Sequence, residues 1–243
     1  MHGPFSAAEI ALAAPGVRTA VVGFPKWAAF RRGEVSRERA RDALGVGRSG
    51  RPVLAWLPTW AHRSSLSNAP ALASLAETFE VVMKPHHNSA RFESGRLSGL
   101  PPQVIAVPAS SSLVDLLAAA DVVVADLPSG GFTEALLADR PVVVLAQPGD
   151  RDRAHAAVTE VADLCADPAG LPALAARAYR DDPCAEGRRR WAPELFGDTR
   201  GRDDELAAEA LAGVVTESRS LARVLAAAGW RARQQAARLA NRR

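Results

Sequence analysis

"SLVDLLAAADVVVADLPSGGFTEALLADRPVVVL", residues 112–145, sets two unbroken Val-rich runs beside two Ala/Leu-rich stretches. Residues 121–126 and 141–148 read as strands, and 112–120 and 130–139 as helices. The strands do not alternate apolar with polar residues. Continuous apolar runs suit strands covered on both faces, as in a parallel sheet. Strand, helix, strand in this order is a βαβ unit.

The same pattern extends toward the N-terminus. Strands are expected at 17–24, 52–58, 80–86 and 103–108, with helices at 36–46 and 69–79. Ser36 is placed to cap the first helix, with Glu38 in its first turn. This alternation implies a doubly wound α/β domain with a Rossmann-like parallel sheet. After Pro148 the chain reads as helical, at 151–163, 170–180, 203–217 and 219–240. The expected division is an N-terminal segment 1–16, an α/β domain 17–200 and a helical C-terminal extension 201–243 with a basic tail.

The 243 residues suffice for one large domain with extensions. An apolar content of 48% and a charged content of 23% are those of a globular protein. Arginine almost wholly replaces lysine, which occurs only as Lys26 and Lys84. There is no basic stripe with interleaved aromatics, so nucleic acid is not an expected partner. Cys165 and Cys184 lack metal-ligand spacing and read as free thiols. No apolar run reaches the roughly 18 residues of a membrane span, and no secretory signal is visible. A cytoplasmic location is expected, with no cofactor and no metal cluster.

In a doubly wound sheet, ligands bind outside the carboxyl ends of the strands. Six segments fall there, 24–26 with Lys26, 58–60, 84–87, 108–110, 126–131 and 147–150, and three stretches carry the clearest motifs. In "LPSGGFTE" (127–134), Ser129, Gly130 and Gly131 open a helix, and small residues let a phosphate approach its unpaired N–H groups. Ser129 adds a hydroxyl, and Glu134 is placed to accept from a ribose or glycerol hydroxyl. The plainer reading is an N-cap serine with packing glycines. "KPHH" (84–87) offers Lys84 and His86 to a diphosphate, or only a solvated loop. "WLPTWAHRSSL" (56–66) places Thr59, Trp60, His62 and Arg63 after a strand. By contrast "GVGRSG" (45–50) matches a dinucleotide fingerprint but ends a helix and precedes a strand, so it reads as a helix C-cap and loop.

In this order, "LPTW", "KPHH" and "AAADVVVADLPSGGFTEALLADRPVVV", preceded by "VVGFPKWAAF" (21–30), resemble the CDP-glycerol glycerophosphotransferases. These are teichoic-acid polymer enzymes related to GT-B glycosyltransferases. The resemblance spans about residues 17–215. It implies His86 as the catalytic residue, with Asp126 and Ser129 on a D-x-S-S motif. Thr59, Lys84, Gly130, Gly131 and Glu134 complete the implied substrate-binding set. The "SGG…E" pattern is also similar to UDP-N-acetylglucosamine 2-epimerases. Pro128, Leu127, His87 and the two glycines depart from the transferase pattern and leave the donor open between a CDP-alcohol and a nucleotide sugar. A transferase of this kind closes two α/β domains over a cleft, so a partner chain supplying the acceptor half is an expectation. The alternatives are a non-catalytic binding or assembly module and a UDP-sugar glycosyltransferase- or epimerase-like enzyme. The acceptor implied is a lipid-linked or polymer hydroxyl of the cell envelope. The Arg-rich stretch 218–243, with Trp230, reads as a terminal helix packed on the domain or as a peripheral anchor on an anionic membrane.

Overall fold

The structure is a computed structural model. It describes residues 2–127, 129–146 and 156–216. Its centre is a parallel sheet of β1 (Val53–Leu57), β2 (Glu80–Met83), β3 (Ile105–Ala106), β4 (Val122–Asp126), β5 (Val142–Leu145) and β6 (Asp163–Cys165). The strand order is β3-β2-β1-β4-β5-β6. The chain builds outward from β1 to β3, returns to the other side of β1, and builds outward again. Leu57 pairs with Ala125, and Trp56 with both Met83 and Val124, so β1 lies at the reversal.

β1, β2, β4 and β5 are buried along their whole length. Successive strand residues point to opposite faces. Val53, Ala55, Leu57, Val123, Ala125 and Val144 therefore enter one core, and Leu54, Trp56, Met83, Val122, Val124 and Leu145 the other. Helices at Arg37–Leu44, Leu113–Ala119, Gly130–Leu137 and Ala185–Phe196 contribute to the first core, and Ala69–Ser74 and Leu171–Asp181 to the second. Two-sided burial is the physical content of the unbroken apolar runs. Each fully buried Val or Leu adds about 1.5–3 kcal/mol over an exposed one.

The expected Ser36 cap forms, and Ser112 caps its helix in the same way. Ser36 Oγ accepts from Arg39 N at 3.2 Å, and Ser112 Oγ from Asp115 N at 3.1 Å. Gly45 ends its helix in the left-handed region, with φ 69°. The "GVGRSG" stretch is thus a helix end and loop.

Four expectations are corrected. Residues 17–24 form no strand, and Val17 and Val21 are exposed. β-Branched residues need a sheet edge to pair with, and both edges lie elsewhere, at β3 and β6. This segment is tied instead to the helix at 203–216. Phe24 N donates to Asp203 Oδ1 at 2.7 Å, and Gly23 has φ +72° with Asp203 directly against it. Second, the helix expected at 151–163 is Ala156–Val161 among the described residues, and β6 follows it. Three residues are too few to carry a period. Third, the strand expected at 103–108 pairs only over Ile105–Ala106. Fourth, helices Pro4–Ala13 and Ala185–Phe196 were not anticipated, the latter with Pro193 inside it. Its Arg188 is buried against Asp139 and Asp182, which replaces the usual apolar signal of an inward face. The stretch 219–240 lies outside the described residues.

Candidate functional site

A cavity of about 400 Å³ opens at the carboxyl ends of β1, β2 and β4, where the strand order reverses. The sheet's register gathers its walls. Lys84 N donates to Trp56 O at 3.1 Å, so the chain leaving β2 stays beside β1. Thr59, Lys84, His86, Ser129, Gly130, Gly131 and Glu134 all line the cavity. Of the sequence-expected residues, Asp126 alone is elsewhere.

Asp126 is fully buried at the end of β4. Its Oδ2 accepts from Thr59 N at 2.7 Å and from Ser65 N at 2.9 Å. It lies beneath the cavity and fixes the loop that forms one wall. The motif implies a substrate contact at Asp126; these two bonds go to the backbone of the loop after β1. The same loop carries Ala61 at φ +59°, a conformation unusual for alanine. Glu93 meets this loop, its Oε2 accepting from Ala61 N at 3.4 Å and from Ser89 Oγ at 2.7 Å.

Ser129 is the N-cap of the Gly130–Leu137 helix, its Oγ accepting from Phe132 N at 3.0 Å. The N–H groups of Gly130 and Gly131 then head the helix without a partner among the described residues, a disposition that favours anions. The two glycines differ. A Cβ on Gly130 would meet nothing within 4 Å, whereas one on Gly131 would stand 3.1 Å from Leu57. Gly131 lets the helix sit close on β1; Gly130 leaves backbone open to the cavity.

Lys84 Nζ donates to Ala109 O at 2.6 Å. Burial, with the nearby positive charge of Lys26, holds its pKa below the ordinary lysine value, and Glu134 opposes them. His86 caps the short His87–Phe92 helix, with Nδ1 accepting from Asn88 N at 3.2 Å. That bond places the proton of the neutral ring on Nε2 and makes Nε2 a donor. Burial, then His87 and Lys84, lowers the His86 pKa, against a smaller opposite effect from Glu93. The ring stacks near Trp60, with centroids 6.2 Å apart and planes at 14°.

Glu134 is nearly buried. Trp27 Nε1 donates to its Oε2 at 2.8 Å, and Lys26 Nζ lies 2.5 Å from the same oxygen. Lys26 was expected only as a residue at the end of the 17–24 strand, and Trp27 was not expected near the site. They arrive from the Pro25–Trp27 turn, which belongs to no strand. One signal was available: Lys26 is half of the lysine content of an arginine-rich chain. Among the described residues, no group of three His, Cys, Asp or Glu side chains is arranged to hold a metal ion.

Fold and cavity together define a GT-B-type, Rossmann-like α/β domain. No protein-family model and no curated protein matches the sequence. Among solved structures, it is similar to the wall teichoic acid polymerase TagF, with a TM-score of 0.65 at 16% identity over 89% of this chain and 57% of that one. A variant of the same polymerase gives 0.66 at 15% identity, over 90% and 58%. UDP-GlcNAc 2-epimerase from Neisseria meningitidis, solved bound to UDP-GlcNAc, gives 0.55 at 17%, over 86% and 60%. At these identities the likeness is one of fold. The chain spans less than two thirds of the length of each.

Proposed function

We propose that this chain binds a nucleotide-diphosphate donor, such as CDP-glycerol, as the donor half of a transferase that passes glycerophosphate or a related group to a cell-envelope acceptor. The observation that carries this reading is the convergence at one reversal of strand order. Two open helix-heading N–H groups, one half-buried lysine and a neutral histidine donor face a single cavity. The motif order seen in the sequence supports it, as does a fold neighbour bound to UDP-GlcNAc.

In this reading the diphosphate oxygens accept from Gly130 N, Gly131 N and Lys84 Nζ. Glu134 takes a hydroxyl of the ribose or glycerol. An acceptor hydroxyl attacks the phosphorus that bears glycerol, the bond to the bridging oxygen breaks, CMP departs, and the hydroxyl proton passes to solvent. A loose phosphoryl transition state needs positioning and positive surroundings above all. His86 Nε2–H hydrogen-bonds the leaving phosphate. The Nδ1 bond to Asn88 favours this donor role over that of a base. No cofactor is required.

The acceptor, lipid-linked or polymeric, would be held by a second α/β half. No helix among the described residues is long and apolar enough to cross a membrane. Attachment to an anionic membrane surface is assigned to 218–243, outside the described residues. It is checked by vesicle sedimentation with and without that stretch.

Calorimetry with CDP-glycerol, CDP-ribitol, CDP, UDP and UDP-GlcNAc tests the central reading. Binding of one nucleotide diphosphate is expected, and binding of none would refute it. The alternative reading is a binding module without turnover of its own. Nucleotide binding without transfer, after addition of the chain encoded beside it, would select that reading.

A further inference from the structure

Lys26 and Lys84 are the only lysines in a chain with 30 basic residues, and both lie within electrostatic reach of one carboxylate, Glu134. They reach it by different routes. Lys84 stands at the end of β2, held by Ala109 O. Lys26 comes from the turn ahead of the sheet, its Nζ 5.3 Å from the centroid of the Phe24 ring.

The two bonds on Glu134 Oε2 are unlike. Trp27 is fully buried, and its indole N–H is a fixed neutral donor. Lys26 is about half exposed, at 48%, and meets the carboxylate from the solvent side. Water reaches the pair only on the lysine side, so Lys26 is the partner of Glu134 that can exchange toward another anion, while the indole cannot. A lysine ammonium is a compact charge on a flexible stem, suited to moving between partners, whereas a guanidinium is a rigid fork. If Lys26 leaves, Glu134 keeps the Trp27 bond and regains capacity to accept a hydroxyl. Glu134 is one turn along the helix headed by Gly130 and Gly131.

We propose that Lys26 is an exchangeable second cation of the donor site: it rests on Glu134 when the site is empty and transfers to the diphosphate when a nucleotide binds. This rests on the donor-binding reading above. It adds that Glu134 is released for hydroxyl recognition by the same event that neutralises the phosphates.

The test uses the full chain with CDP and UDP as probes. Lys26→Gln should weaken whichever diphosphate the native chain binds by about tenfold, a charge-assisted bond lost. Lys26→Arg should recover part of that loss. The Trp27 indole N–H resonance, assigned with Trp27→Phe, should shift when nucleotide is added to the native chain. In Lys26→Gln it should start displaced and move little on addition. Equal affinity of native and Lys26→Gln chains overturns the inference while leaving donor binding intact. A weakened Lys26→Gln chain combined with an unmoved native Trp27 resonance also overturns it, since Lys26 would then touch nucleotide without leaving Glu134. If the native chain binds neither probe, the donor-binding reading fails and the inference with it.

Discussion

The two ends of the sheet carry similar kinds of residue put to different uses. At the amino end, Asp121 precedes β4 and its carboxylate is saturated. Arg37 bonds to Oδ1, while Arg41 Nη2 and Val53 N reach Oδ2 at 2.7 and 2.8 Å. Glu80, opening β2, takes Gly47 N at 2.7 Å and Ser49 Oγ at 2.6 Å. Both carboxylates are answered by the protein itself. At the carboxyl end, Lys84, His86, Gly130 and Gly131 present donors to a cavity of about 400 Å³. Polar residues at a strand end thus hold the fold where their partners close the circuit. They form a candidate site where donors outnumber acceptors and face open space.

The sharpest break in this contrast is expected at Asp121. Asp121→Ala leaves two arginines and a strand N–H without their acceptor and should cost about 2–3 kcal/mol. Denaturant unfolding reads this loss. Nucleotide affinity of the folded fraction should be unchanged; an affinity loss of equal size would mean that the ends are not independent. Lys84→Gln should do the reverse. It should weaken the bound diphosphate by about 2 kcal/mol, about thirtyfold, with stability altered by less than about 1 kcal/mol. Paired calorimetry and unfolding curves on one preparation separate the two outcomes.

The adjacent glycines refine the comparison within the carboxyl end. Gly130→Val places its branch in open space, so it should weaken nucleotide by about tenfold, about 1.4 kcal/mol, while leaving stability nearly intact. Gly131→Ala presses on Leu57 and should lower stability by about 1 kcal/mol as well. Equal unfolding curves for the two variants would show that the helix does not rest on β1 as described.

What was legible in the sequence follows the same physics. Buried parallel strands announce themselves because both faces demand apolar residues, so β1, β2, β4 and β5 were readable, as were the Ser36 and Ser129 caps. The walls of the cavity followed from the rule that strand ends bear ligands. β6 was too short to show a pattern. Residues 17–24 had strand composition but no edge to join, a matter of topology that composition does not encode. The Ala185–Phe196 helix hid behind Arg188, a buried charge answered by Asp139 and Asp182. The pairing of Lys26 with Glu134 was missed for the same reason as the misplaced strand: it depends on how the segment before the sheet folds back.

The smallest effect, and the one most specific to a diphosphate, concerns the charge of His86. Burial, His87 and Lys84 together hold its pKa below the ordinary histidine value, and only Glu93 pulls the other way. The free folded chain therefore binds its proton later, on acidification, than the unfolded chain does. Stability from this group is intact above the ordinary histidine pKa and declines as pH falls below it. A diphosphate near Nε2 reverses the sign, because negative charge favours the imidazolium. Binding should then take up protons, and affinity should rise by about threefold as pH is lowered through the histidine range, flattening toward pH 8. The His86 ring C–H signal, identified by its loss in His86→Ala, should titrate at higher pH with CDP or UDP bound than without. A midpoint that stays put, or falls, would place the phosphates away from His86. The cavity's donor surplus would then reduce to Lys84 and the helix start.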